Sequence, residues 1–258
     1  MTDTVLVLNA AEGRVQTLLL REGDILCFQD WNAPSRGTEL LTPLLADAFQ
    51  RSGVAPGDIT RIACVAGPGS FTGIRLALAT AAALRRATGA RLAAINALQV
   101  LAAGLSPALL ARGGIRRIRV LTHARRGLTH GQDFLPAAPP EPIGEPAMLQ
   151  IEGALSDPAP DLLIGSGVAR NLDFLKEHAP QGSLLLPGVC DQPTPAALAA
   201  VALALPETAW RDEDIEPMYL RPCDAVDNLS SIAAKRGDDP AQAHAELHRL
   251  LNVSPERP

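Results

Sequence analysis

The chain has 258 residues, of which 47% are hydrophobic and only 3% aromatic, so its core must be built mainly from Leu, Ala, Val and Ile. This length allows one large domain or two small ones with substantial cores. The net charge of −5 argues against strong autonomous binding to nucleic acid, which depends on neutralising phosphates.

Cysteines and apolar runs restrict the class of protein further. Cys27, Cys64, Cys190 and Cys223 are far apart and form no C-x-x-C pair, so we interpret them as reduced thiols, not a disulfide framework or a zinc site. The N-terminal residues contain no basic segment before a short apolar run, and no apolar stretch is long enough to span a bilayer. We therefore expect a cytoplasmic protein without a signal peptide.

The first 110 residues predict a three-strand meander followed by alternating helices and strands. Short apolar or alternating runs predict strands at 5–8, 14–20, 25–28, 62–65 and 92–95. Apolar residues at helical spacing predict helices at 38–51, 70–88 and 97–110, and Gly104 and Pro107 should disturb the end of the last one. We expect Thr38 to cap the first helix and Gly53 to end it.

The stretch 67–75, GPGSFTGIR, is a glycine-rich loop between a strand and a long alanine-rich helix. Ser70 or Thr72 can cap this helix, and the N–H groups of its first turn favour an anion in front of the loop. The spacing matches neither the P-loop nor the G-x-G-x-x-G fingerprint, and the alternative is a turn that only packs helix on strand. The residues that would face a nucleotide or a partner are Gly67, Pro68, Gly69, Ser70, Phe71, Thr72 and Gly73.

The second half begins again with a strand, at 117–122, and a return strand through Phe134. Five prolines between positions 136 and 146 predict a loop. The later expected elements are a strand at 162–167 that ends in a glycine turn, helices at 171–178 and 195–205, and a short ordered segment at 218–222. Residues 225–258 are expected to be a tail with one helix at 240–251.

The loop GPGSFTGIR and the alanine-rich run after it resemble the signature of the bacterial TsaB family, also called YeaZ. The resemblance is strong over residues 59–103 and extends from Val5 to about Arg221. It implies an α/β protein of the actin-like ATPase (ribonuclease H-like) fold, with two similar βββαβα-type halves of which the second is reduced. The implied domains are residues 1–110, residues 111–224, whose last segment can pack back on the first, and the tail at 225–258.

The resemblance also implies a function. A TsaB-like chain is a non-catalytic subunit in tRNA threonylcarbamoyladenosine modification that pairs with a TsaD-like catalytic subunit, joined by a TsaE-like ATPase. It meets tRNA only within the complex, pairs with itself when alone, and uses no cofactor or metal. The helices 38–51 and 70–88 would form the seam. The implied interface residues are Leu40, Leu44, Ile74, Arg75, Leu78, Ala79 and Ala83.

Two residues depart from the family pattern. Asn9 and His123 stand where the family carries an aspartate at the end of a first strand, and neither offers the anionic oxygens that hold a metal-bound nucleotide. The two replacements therefore argue against intrinsic catalysis. The alternative interpretation is that Asn9 and His123 only end their strands and have no functional role. The family's His-Ser-Glu before the first seam helix is Gly37-Thr38-Glu39 here.

Two further clusters have open interpretations. A run of arginines either contacts RNA phosphate or an acidic partner, or only flanks strands in water. Its members are Arg112, Arg116, Arg117, Arg119, Arg125 and Arg126. His244 and His248 lie one helical turn apart, but no third ligand is nearby, so a metal site is disfavoured.

Two alternative functions remain open at this stage. One is an active actin-like-fold kinase or ATPase that uses the loop 67–73 on phosphate, and the other is a stand-alone homodimeric regulator. No nucleophile elbow or zinc motif indicates a peptidase.

Overall fold

The computed structural model describes residues 2–34, 36–112, 114–125, 127–220, 229–237 and 239–251. The chain forms two compact units, Met1–Leu220 and Arg221–Pro258. Among the described residues, no helix is both long and apolar enough to cross a membrane.

The first half of the larger unit is a mixed sheet with two crossover helices. Its elements are β1 (Thr4–Asn9), β2 (Arg14–Arg21), β3 (Asp24–Asn32), α1 (Gly37–Ser52), β4 (Arg61–Gly67), α2 (Phe71–Thr88) and β5 (Arg91–Asn96). The strand order is β3-β2-β1-β4-β5, with β2 antiparallel to β1 and β3 and the last two strands parallel to β1. Every residue of β1 is buried, and because alternate side chains point to opposite faces, both faces of this strand are covered.

The second half repeats this order on a smaller scale. Its elements are α3 (Ala97–Ala103), α4 (Pro107–Arg112), β6 (Ile118–Arg125), β7 (Leu128–Leu135), β8 (Glu141–Gln150), β9 (Leu162–Ile164), α5 (Ser166–Arg170), α6 (Leu172–His178) and β10 (Leu184–Leu186). The order β10-β9-β6-β7-β8 equals that of the first sheet when β6 is counted as the first strand. A short 3-10 turn, Gly153–Leu155, stands where α1 joins β3 to β4. The prediction of two similar halves, the second reduced, is confirmed.

Two helices tie the core together. In α3, Val100 lies in the core of the first sheet and Leu101 in the core of the second. The helix α7 (Pro195–Leu203) places Leu198 and Val201 on the first sheet, although it follows the second in sequence.

The segment after α7 also returns to the first sheet. Leu92 and Arg211 exchange two backbone hydrogen bonds of 2.8 Å, and the N–H of Met218 donates to the carbonyl of Ala66 at 2.8 Å. Residues 205–220 therefore run back along the first half as far as the glycine loop.

Most helix ends follow the expected capping residues. Ser70 caps α2 and Gly53 ends α1 in the left-handed conformation, as predicted. Thr38 does not cap α1: the helix starts at Gly37, and no side chain forms the cap. The helix predicted at 97–110 is two helices, α3 and α4, and the break lies at Gly104 and Pro107, the two residues expected to disturb it.

The loop predicted at 136–146 is wrong over its second part. Residues Glu141–Gln150 form β8, which contains Pro142 and Pro146. Proline removes a backbone donor, yet β8 is an edge strand, where one side of the strand needs no partner. The three-residue strand β10 was not predicted at all.

The smaller unit contains α8 (Leu229–Arg236) and α9 (Pro240–Leu251), which pack against each other. The predicted helix at 240–251 is confirmed, and α8 was not predicted. The expectations for 221–228 and 252–258 lie outside the described residues.

Candidate partner-binding face and glycine loop

The helix α2 separates its side chains into an inner and an outer face. The inner face lies on the sheet and buries Ile74, Ala77, Leu78, Ala81 and Ala82. The outer face carries Phe71, Arg75, Ala79 and Ala83, all exposed and four positions apart, which places them in one row along the helix.

A groove of about 530 Å³ runs between α1 and α2 beside this row. Its lining side chains are small or apolar: Thr42, Leu45, Ala46, Phe49, Ala79, Thr80, Ala83 and Leu84. Small side chains let another helix approach closely, and ridges of that helix fit the groove between two neighbours. The groove therefore has the shape and composition of a helix-docking surface.

Three of the implied interface residues face the interior. Leu44, Ile74 and Leu78 are 7%, 1% and 8% exposed and belong to the core of this chain, so they have almost no surface to give a partner. Helical spacing identifies apolar stripes, but it does not say which stripe a helix turns to its own sheet. Of the rest, Arg75 and the two alanines of the outer row are exposed, and Leu40 is half-buried.

An aromatic and cationic cluster stands at the N-terminal end of the outer row. We call Phe71, Arg75 and Tyr219 the Arg75 cluster. The two rings stack with centroids 5.4 Å apart, and the guanidinium carbon lies 3.8 Å from the Phe71 centroid. Arg75 Nε donates to the Tyr219 hydroxyl at 2.5 Å. Sequence reasoning missed this cluster because Tyr219 is 144 positions from Arg75; the chain's single tyrosine was the available signal.

The C-terminal end of α2 is tied to the segment after α7. Arg85 forms an ion pair of 3.1 Å with Asp214 and donates to the carbonyl of Asp212 at 2.5 Å. Arg86 also pairs with Asp214. These two arginines are thus matched by an internal carboxylate.

The glycine loop packs on the turn that follows β1. A Cβ at Gly73 would meet the carbonyl oxygen of Ala10, and one at Gly69 the carbonyl oxygen of Ala11, both closer than the 3.0 Å that real Cβ atoms keep. The N–H of Ser70 donates to Ala11 O at 2.5 Å, and the N–H of Gly73 to Ser70 Oγ at 3.3 Å. These glycines serve close backbone packing, which is the alternative that the spacing left open.

Asn9 is fully engaged inside the protein. Its Nδ2 donates to Gln16 Oε1 at 2.7 Å, its Oδ1 accepts from the N–H of Ala11 at 3.0 Å, and Gln16 Nε2 donates to the carbonyl of Pro193 at 2.9 Å. The cavity beside Asn9 measures about 10 Å³, roughly the space of one water molecule. Asn9 therefore fixes a turn, and the space next to it does not hold a nucleotide.

A hydrogen-bond chain joins the first-strand ends of the two halves. The N–H of His123 donates to Ser166 Oγ at 3.0 Å, and the Ser166 hydroxyl donates to Glu12 Oε1 at 3.0 Å. Burial raises the pKa of Glu12 to about 7, and Glu12 Oε2 is buried with no partner among the described residues. Burial and the charge of Arg170 lower the pKa of His123. Nothing in the sequence marks Glu12, which lies in an ordinary turn.

The arginine run is partly structural. Arg119 is 6% exposed and binds Asp133 through two N–H groups, at 2.6 and 2.7 Å, while Arg117 reaches the same carboxylate at 2.8 Å. Burial alone would raise the pKa of Asp133, but the two guanidinium groups outweigh it and lower that pKa. Arg117 and Arg119 therefore neither contact a partner nor simply face water, so both earlier interpretations are wrong for them. Arg116 and Arg125, in contrast, are exposed.

Other sequence candidates fall outside the described part of the chain. These are Arg126 and the side chains of Arg112, His244 and His248.

Comparison with known proteins gives consistent matches. The family model described as TsaD, tRNA N6-adenosine threonylcarbamoyltransferase, matches residues 33–126. The chain is 25% identical over 233 residues to the tRNA threonylcarbamoyladenosine biosynthesis protein TsaB of Escherichia coli (strain K12), covering 84% of this chain and 94% of the relative.

Two solved structures from Pseudomonas aeruginosa are similar over most of the chain. YeaZ matches with a TM-score of 0.69 at 23% identity, covering 84% of this chain and 100% of that one. An uncharacterized protein with similarity to the peptidase YeaZ matches with a TM-score of 0.70 at 23% identity, covering 85% of this chain and 100% of that one.

The repeated strand order, with helices joining parallel strands, defines an α/β protein of the actin-like ATPase fold, as the family resemblance implied. The resemblance first seen in the glycine loop and its helix is also confirmed. The chain is similar to TsaB (YeaZ) proteins over most of its length.

Proposed function

We propose that this chain is a non-catalytic subunit in the biosynthesis of threonylcarbamoyladenosine in tRNA, and that it binds and supports a TsaD-like catalytic subunit. The similarity to the Escherichia coli tRNA threonylcarbamoyladenosine biosynthesis protein supports the process. The exposed outer row of α2 and the adjoining groove are the observation that carries the role of a binding subunit.

The proposed seam uses only residues with free surface. These are Thr42 and Ala46 on α1 and Arg75, Ala79 and Ala83 on α2. Two helices from each partner would pack as a four-helix seam, in which alanines allow a short distance between helix axes. Without a heterologous partner, the same surface would pair with itself about a two-fold axis.

The absence of intrinsic catalysis is part of the proposal. Asn9 makes only internal hydrogen bonds, and the loop at the start of α2 uses the N–H groups of Ser70 and Gly73 inside the protein. A TsaE-like ATPase would join the assembly, and tRNA would be met only within it. The process would take place in the cytoplasm.

The experiment is a test in the cells from which the chain comes. We expect deletion of its gene to abolish threonylcarbamoyladenosine in bulk tRNA, measured by mass spectrometry of digested nucleosides. The wild-type gene should restore the nucleoside, while Ala83→Arg should not, although its protein accumulates normally.

The control is Ala200→Arg, which places the same charge on the exposed side of α7, away from the seam. This variant should restore modification fully. Unchanged threonylcarbamoyladenosine in the deletion strain would contradict the proposed function.

A further inference from the structure

The three arginines of α2 differ in their ion pairing. The helix contains three arginines and no acidic residue. Arg85 and Arg86 are both matched by Asp214. In the described part of the chain, Arg75 has no carboxylate within ion-pair distance, although it lies exposed in the outer row.

Arg75 is held in place by the rings around it. Its guanidinium group lies over Phe71, and its Nε is engaged by the hydroxyl of Tyr219. Among the described residues, its two terminal nitrogens make no hydrogen bond, so up to four N–H donors remain for a ligand. An arginine stacked on aromatic rings loses little side-chain freedom on binding, and arginine and tyrosine are frequent at the energetic centres of interfaces.

We propose that the Arg75 cluster is the specificity element of the seam: it binds a carboxylate on a helix of a heterologous protein partner and disfavours pairing with a second copy. This inference rests on the proposed function, because it assigns chemistry to the same surface. The planar fork of a guanidinium group matches a carboxylate with two parallel hydrogen bonds.

A protein carboxylate fits the surroundings better than an RNA phosphate. The groove beside Arg75 is lined by small and apolar side chains, which suit a helix and offer nothing to a nucleotide backbone. Binding to nucleic acid needs several free cations, whereas Arg85 and Arg86 are already matched by Asp214, and the chain has a net charge of −5.

In a homodimer, the α2 helix of the second copy has no carboxylate for Arg75 to bind. In a two-fold pair built on this surface, α2 faces α2, which has no acidic residue. The nearby acids of α1 are already occupied, since Glu39 pairs with Arg36, and Asp47 pairs with Arg51. Burying Arg75 in a homodimer would thus desolvate a cation without compensation, which costs affinity.

The test measures binding to two partners separately. The purified TsaD-like protein of the same organism is titrated calorimetrically into the full-length chain, and self-association is measured by sedimentation. We expect Arg75→Gln to weaken binding of the TsaD-like protein about 30-fold or more, the range for removing one member of a buried charge pair. Self-association should stay equal or become tighter.

Three variants sharpen the result. Arg75→Lys keeps the charge but not the fork, and we expect it to recover only part of the affinity. Tyr219→Phe keeps the ring and loses the hydroxyl, so it should weaken binding by a few-fold. Arg86→Gln is the matched control, because that arginine is already paired with Asp214, and it should bind within about twofold of wild type.

The outcomes separate this inference from the proposed function. If the wild-type chain does not bind the TsaD-like protein, the proposed function fails. If it binds and Arg75→Gln binds equally well, only the specificity role is overturned. A variant that weakens self-association as much as partner binding, or that loses tRNA binding while keeping the protein partner, also overturns it.

Discussion

The two halves of the larger unit share a strand order but differ in the helices that join their strands. In the first half, the crossover elements are the 16-residue α1 and the 18-residue α2. In the second, a 3-10 turn replaces the first helix, and the five-residue α5 and seven-residue α6 replace the second. Long helices have an outer face beyond the one that covers the sheet, so α1 and α2 together offer an extended surface for a partner helix.

In both halves, the loop after the fourth strand contains glycines that pack closely against the backbone of another segment. In the first, Gly69 and Gly73 allow the loop to touch the backbone after β1. In the second, a Cβ at Gly165 would lie 2.5 Å from Leu121 O, and one at Gly167 would lie 3.0 Å from the Leu121 backbone. A glycine loop that also occurs in the half without a long helix is a packing device of the fold, so its presence does not by itself indicate phosphate binding.

The largest effect is expected from substituting the loop glycine of the first half. Gly73→Ala would place a methyl group against Ala10 O, and backbone cannot move aside cheaply, so we expect a loss of about 4 kcal/mol or more in the free energy of unfolding. Gly167→Ala, with contacts near 3.0 Å, should cost less.

The control for both is Gly57→Ala, because Gly57 has no atom within 4 Å of an added Cβ and no positive φ. Denaturant melts of the three variants give the comparison. A Gly73→Ala protein as stable as Gly57→Ala would show that the loop does not pack as described.

The next effect concerns the charge pair that only the second half buries. Asp133→Asn would leave Arg119 buried with a neutral acceptor, and we expect a loss of about 3 kcal/mol, measured by urea unfolding at pH 7. The matched change in the first half is Asp30→Asn, whose partner Arg14 is about a quarter exposed. That change should lower the free energy of unfolding by at most about 1 kcal/mol. Equal losses in the two variants would show that the buried pair contributes no more than the partly exposed pair.

A pH-dependent effect is expected where the halves meet. The folded pKa of Glu12, about 7, lies above its ordinary value of 4.5, so the folded state holds a proton that the unfolded state releases between these values. Stability should therefore fall as pH rises through this window. Glu12→Gln removes the buried charge, and its stabilisation relative to wild type should grow by about 2 kcal/mol from pH 5 to pH 8.

The exposed Glu145→Gln serves as the control for this pH series, since its side chain faces water and should leave stability unchanged at both values. A difference between wild type and Glu12→Gln that does not change with pH would rule out the buried proton.

The smallest effect is expected from the tail. Truncation after Val226 should leave a soluble protein that melts cooperatively and binds its partner, because the unit Met1–Leu220 has a core of its own. A helix of twelve residues is marginal alone, so the melting temperature should change by only a few degrees. An insoluble or molten product would mean that the tail completes the core.

The pattern of apolar residues predicted most of the strands and helices, whereas the sheet topology was implied only by the family resemblance. The elements that the pattern missed have physical reasons. Strands with apolar alternation and helices with glycine ends, such as α1 at Gly53, were found from the sequence. The strand β8 was missed because Pro142 and Pro146 indicate a loop unless the strand is known to be at an edge. The domain boundaries at 110–111 and 224–225 stay predictions.

The candidate site was predicted less completely than the fold. Helical spacing located α1 and α2, the helices of the proposed seam. Ile74 and Leu78 face the interior, because a helix with apolar residues on several sides has no unique inward face. Tyr219 and Glu12 depend on contacts with residues distant in sequence, at Arg75 and Ser166, which no local pattern contains.

The central claim is that α1 and α2 form the partner seam, and it is tested most directly by calorimetric titration of the TsaD-like protein into seam variants. Ala79→Arg and Ala83→Arg each place a long cation in the small-residue row, and we expect at least about a 100-fold loss of affinity without a change in the melt. The control Ala200→Arg should bind within about twofold of wild type. Wild-type affinity in both seam variants would contradict the account.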